Sequence, residues 1–71
     1  MYRVERYIIT DLGRYDFEPE VRPYKDVRNL HGKCIWEHFT EEFNQETKVI
    51  ELYKHTDEGF ICYVITPLAV A

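Results

Sequence analysis

VERYIITDLG at residues 4–13 and IELYKHTDEG at residues 50–59 agree at five of ten positions, with Val4 matched by Ile50. Each stretch runs β-branched and aromatic residues into Thr-Asp-x-Gly. Thr and Asp side chains accept hydrogen bonds from nearby backbone N–H groups and so start turns. Glycine then supplies the positive φ that a type I turn followed by a bulge requires. Strand-like residues follow both glycines, RYDF after Gly13 and FICYVIT after Gly59. The repeated pattern therefore predicts two β-hairpins, turning at Thr10–Gly13 and Thr56–Gly59, and carries no functional repeat.

The hairpins are expected over residues 2–18 and 47–66. FICYVIT is a continuous apolar run, as in a central strand covered on at least one face. The return strand of the first hairpin is short and enters EPEVRP, where Pro19 and Pro23 cannot donate to a ladder. Residues 18–23 thus read as an extended connector. In PYKDVRNLHG, Tyr24, Val27 and Leu30 recur at intervals of three, and the segment ends at Gly32. A short helical turn over 24–31 is expected. Beyond it, Ile35, Trp36, Phe39 and Phe43 fall within one arc of roughly 100° at helical spacing, so a helix over 33–44 is expected. The sum is one α+β domain over 1–71, ββ-α-ββ, in which one amphipathic helix packs on an antiparallel sheet.

Seventy-one residues allow one small core, which rarely supplies more than about 3–5 kcal/mol. A net charge of −4 conceals an asymmetry: residues 1–35 hold seven Lys/Arg against six Asp/Glu, and residues 36–71 hold two against seven. No apolar run approaches the roughly 20 residues of a membrane helix. The N-terminus lacks the pattern of a secretory signal, and two cysteines, Cys34 and Cys62, fit buried free thiols in a reducing cytoplasm. Serine is absent, so serine-nucleophile chemistry is excluded. No P-loop, dinucleotide fingerprint or H-E-x-x-H is present, and no cofactor is implied.

Three constellations remain. His31, Cys34 and His38 have spacings that could place imidazole and thiolate ligands together, with Glu41, Glu42 or His55 as a fourth metal ligand. Structural zinc sites, however, normally show paired short knuckles, which this chain lacks. Arg3, Arg6 and Arg14 interleave with Tyr7 and Tyr15, a composition that on one open sheet face would hold single-stranded nucleic acid by stacking and charge. Against it, six acids lie among the cations of that half. Third, Glu37, Glu41, Glu42 and Glu46 would project from the helix as an acidic face, with Tyr15 and Phe17 as a second patch. The connector DFEPEVRPY reads equally as a recognition segment anchored by Phe17 and Val21, or as a loop tucking Phe17 under the sheet edge.

The leading expectation is a non-enzymatic protein-binding module. It would be a small acidic inhibitor or modulator of a larger cytoplasmic protein, such as a nucleic-acid-processing enzyme with a basic groove, in the style of phage and mobile-element proteins. A small nucleic-acid-binding domain and a small metal-binding protein are the alternatives. The apolar PLAVA tail either finishes the last strand or extends the sheet across a homodimer.

Overall fold

The computed structural model describes residues 1–68. The chain forms β1 (Tyr2–Thr10), β2 (Gly13–Asp16), β3 (Glu20–Arg22), α1 (Tyr24–Trp36), β4 (Thr40–Phe43), β5 (Ile50–Thr56) and β6 (Gly59–Pro67). The strands make one antiparallel sheet in the order β2-β1-β6-β5-β4, with β3 pairing β1 on the same edge as β2. One helix on such a sheet is a small α+β domain, as expected. Both hairpins form as read, closing at Thr10↔Gly13 and Thr56↔Gly59. Among the described residues only His38 and Lys48 are non-glycines with positive φ, so the left-handed step of each hairpin falls on Gly13 (φ 123°) and Gly59 (φ 148°). Of the PLAVA tail, Pro67 is the last residue of β6 and the Leu68 N–H reaches the Met1 carbonyl at 3.0 Å. Residues 69–71, on which the dimer-spanning reading rests, lie outside the described residues.

Alternation along the strands separates two faces. Val4, Ile65 and Leu52 stand in register across the three central strands or one step away and form a buried cluster with Val27 and Cys34 of α1. Leu52 and Ile65 are fully buried. Tyr2, Leu30, Phe39, Ile50 and Tyr63 close its margins. The helix thus covers the Val4 face, and among the described residues no second layer covers the other sheet face.

The middle of the chain departs from the sequence reading. Instead of a turn over 24–31 and a helix over 33–44, a single helix runs from Tyr24 to Trp36 and a strand occupies Thr40–Phe43. Val27, Leu30 and Cys34 continue one stripe through Gly32, which faces open space. A glycine there costs only about 1 kcal/mol against alanine, less than the stripe returns by burial. The residues assigned to the expected apolar stripe are largely in solvent, Trp36 at 84% exposure and Phe43 at 49%.

What stops the helix is a pair of backbone bonds, Phe39 N–H to the Cys34 carbonyl (2.9 Å) and His38 N–H to the Ile35 carbonyl (3.1 Å), with His38 left-handed at φ 68°. This is the Schellman arrangement, usually built on glycine, and Phe39, the residue after the left-handed position, packs against the buried cluster that includes Cys34. Lys54 Nζ donates to the Glu37 carbonyl at 2.8 Å, placing a cation at the helix C-terminus. A left-handed non-glycine costs about 1–2 kcal/mol, partly offset by the entropy glycine loses on folding. His38→Gly is therefore expected to stabilise the fold by about 0.5–1 kcal/mol, raising the melting temperature by several degrees. Thermal unfolding followed by circular dichroism checks this, and an unchanged or lowered midpoint would contradict it.

β4 exists because the chain after it folds back locally. The Asn44 side-chain carbonyl accepts from the backbone N–H of Glu46 (2.9 Å) and Thr47 (3.0 Å), and Asn44 N–H reaches the Val49 carbonyl at 3.0 Å. This asparagine turn sets Phe43 opposite Ile50 and Glu41 opposite Leu52.

Candidate interaction face

On the uncovered side, alternation from β1 gives Arg3, Glu5, Tyr7 and Ile9. The register sets Tyr7 beside Cys62 and Ile9 beside Phe60 of β6, then Cys62 beside Tyr53 and Phe60 beside His55 of β5. Phe60 is the hub of this face. Its ring centroid lies 6.1 Å from Tyr7, 5.7 Å from Tyr53 and 5.0 Å from His55. Arg14 crosses the Tyr7 ring at 4.1 Å, a cation–π contact at the β2 end.

Cys62 is the one described residue buried on this side, at 2% exposure, with its thiol donating to the Tyr63 carbonyl at 3.7 Å. Interaction with Cys62, and then desolvation, pushes the Tyr7 phenol up to about 12. Desolvation also raises the Cys62 thiol. Neither group is a nucleophile near neutral pH. The pair acts as packing beneath the aromatic layer.

Along one row the register aligns Glu5, Val64, Glu51 and Glu42 across four strands. Glu5 is ion-paired with Arg3 at 3.1 Å. Glu42 accepts a hydrogen bond from the Tyr53 hydroxyl at 3.1 Å. Glu42 and Glu51 are directly opposite one another, and among the described residues no cation lies within ion-pair distance of either. Like charges in cross-strand register are destabilising.

The residues singled out by sequence are distributed differently. Glu37 caps the helix, Glu41 faces α1 with its carboxylate 3.0 Å from His31 Nε2, Glu42 faces the open side, and Glu46 sits in the β4–β5 turn. They form no single acidic surface, because residues 40–43 alternate as a strand where a helix was expected to align them. Tyr7 and Tyr15 lie on opposite faces, since Tyr15 registers with Ile8 and Tyr7 with Asp16. Arg3 and Arg14 accompany Tyr7 but are engaged by Glu5 and Asp16, and Arg6 lies on the helix side. The nucleic-acid constellation is therefore divided between two faces.

The metal constellation is likewise not assembled. Cys34 points into the core at 3% exposure, and burial, followed by the Glu37 charge, pushes its thiol up to about 11. His31 engages Glu41, and His38 lies exposed beyond the helix end. No group of three or more candidate metal ligands occurs among the described residues. Phe17 is tucked against the sheet edge, edge-on to Tyr15 at 4.8 Å, whereas Val21 is 58% exposed.

Sequence reasoning missed Tyr53, Phe60 and Val64 as surface residues. The signal was the period of two in the last strand, where Phe60, Cys62 and Val64 share a side. A run apolar at every position hides which side remains uncovered. Comparison with protein-family models, with curated proteins and with solved structures finds no match to this chain. No helix among the described residues is long and apolar enough to cross a membrane.

Proposed function

We propose that this protein is a non-enzymatic binding module whose helix-free sheet face docks on a larger protein, modulating it, through a partner surface that combines aromatic or aliphatic side chains with Lys or Arg. The observation that carries the reading is the Phe60 cluster, three rings around one hub on an uncovered face, bordered by the opposed carboxylates of Glu42 and Glu51. Aromatic side chains dominate interface energetics, and a rim of one charge selects its opposite. A second copy stacked along the central strand is disfavoured as the occupant. Stacked face to face about an axis along β6, the central strand, two copies would set Glu5 of one over Glu51 of the other.

Glu51→Lys separates binding from folding. It places Lys opposite Glu42, turning a repulsive cross-strand pair into an attractive one worth about 0.2–1 kcal/mol, so the fold is retained or strengthened. The same change presents the partner with a like charge. Binders selected from displayed randomised peptides and small scaffolds are expected to be rich in Lys/Arg and aromatic residues. They should lose about tenfold in affinity for Glu51→Lys, or about 1.4 kcal/mol, and weaken with added salt. Glu46→Lys, off the face, should leave them unchanged. Binders indifferent to Glu51→Lys, or a library that yields only nucleic-acid-dependent retention, would overturn the reading.

A further inference from the structure

On the helix side, where the connector passes from β2 to β3, the sheet edge opens into a recess of about 470 Å³. The cause is local. β2 pairs with residues 7–10 of β1 and β3 with residues 2–4, and between them the chain is held by a single bond, Phe17 N–H to the Arg6 carbonyl at 3.0 Å. Pro19 has no N–H with which to close the ladder, so the edge stands away from β1. Val4, Leu30 and Tyr63 form an apolar floor, and Phe17, Glu18 and Glu20 the outer wall.

Arg6 projects into this recess in an uncommon state. The other strand arginines each have an acid two residues away on the same face: Arg3 with Glu5, Arg14 with Asp16, Arg22 with Glu20. The residues two away from Arg6 are Val4 and Ile8. Its guanidinium carbon lies 3.6 Å from the Phe17 ring centroid and 5.9 Å from that of Tyr63. Among the described residues no carboxylate is within ion-pair distance of it. Stacking occupies a flat face of a guanidinium and leaves its N–H edge free, and that edge matches the two oxygens of a carboxylate.

We propose that this recess binds a small monocarboxylate with an apolar chain, its carboxylate on the Arg6 edge and its chain on the Val4–Leu30–Tyr63 floor. The charge of the wall selects against other anions. Glu20 is held by Arg22, but Glu18 has no cation within ion-pair distance among the described residues, so a second negative charge on the ligand would meet it. An amine of the same shape would lose the Arg6 contact and have only the Glu18 carboxylate on the wall to pair with, leaving the Arg6 edge unengaged. This site lies on the opposite side of the sheet from the Phe60 face and stands or falls separately from it.

The test is an NMR titration of the full chain with octanoate, octylamine and inorganic phosphate, following the Arg6 Nε–H and the Val4, Leu30 and Tyr63 side chains. Octanoate is expected to shift all four together and saturably within about 10 mM, with phosphate at least about fivefold weaker and octylamine leaving Arg6 unmoved. Arg6→Lys, which keeps the charge and loses the fork, should weaken octanoate about fivefold. The proposal is overturned by no saturable shift at Arg6 with octanoate, by equal response to octylamine, by phosphate binding as tightly, or by a folded Arg6→Lys variant that binds octanoate unchanged. Should Arg6→Lys fail to fold, the comparison of the three probes on the unsubstituted chain decides alone.

Discussion

Gly59→Ala is expected to remove most of the protein's stability at 25 °C. A Cβ at residue 59 would lie 2.0 Å from the Ile9 carbonyl oxygen and 3.0 Å from its carbon, and the residue holds φ +148°. The obstacle is backbone, so no side chain can swing aside. Relief requires β6 to move off β1, and these two strands share the longest ladder in the sheet, from Tyr2↔Pro67 to Ile9↔Phe60. A loss of at least about 3 kcal/mol is expected, comparable with the total a core of this size supplies. Gly13 is the matched control. It occupies the same place in the first hairpin with φ +123° but has nothing within 4 Å, so Gly13→Ala should cost only the left-handed strain, about 1–2 kcal/mol. Urea denaturation of both variants decides the matter. Equal losses would mean that the second turn does not abut β1.

Leu52→Ala is expected to cost about 2–5 kcal/mol. Leu52 is fully buried, lies between Tyr63 of β6 and Glu41 of β4 in the register, and belongs to the cluster under α1. A five-residue buried cluster has few neighbours able to collapse into a cavity, which favours the upper half of that range. Leu12, 100% exposed at the first hairpin tip, provides the contrast: Leu12→Ala should stay within about 0.5 kcal/mol of the parent. A small shift in the urea midpoint for Leu52→Ala, with unchanged slope, would contradict the assigned core.

The two hairpins were legible because turn chemistry is local. Thr, Asp and Gly at fixed offsets state their own conformation, and both turns fall where those residues predict. The helix was not, because two non-local facts outweighed the local signals. Gly32 looked like a stop, yet it faces solvent, and the stripe of Val27, Leu30 and Cys34 continues past it. His38 did not look like a stop, yet it takes the left-handed position usually left to glycine. Once the helix ends at Trp36, Glu41 and Glu42 must alternate across a strand, and the expected acidic face dissolves. The open face was hidden for a different reason. Phe60, Cys62 and Val64 differ from Ile61, Tyr63 and Ile65 only in which side α1 covers, and no residue within the strand encodes that choice. Arg6 was noticed for its charge, but what sets it apart is the absence of an acid two residues away.

The sheet's central pair joins residues 2–9 to residues 60–67, with every other element strung between them. Closing so long a loop is entropically costly, and it precedes most of the reward, since β1 and β6 hold Val4 and Ile65 against the helix. The second hairpin and the asparagine turn can form early on local contacts alone. The seam between first and last strands cannot. Such a molecule should fold slowly for its length and nearly all at once, with β1 waiting on β6. A chain released residue by residue would leave Tyr2–Thr10 unpaired along one side until the last strand is made.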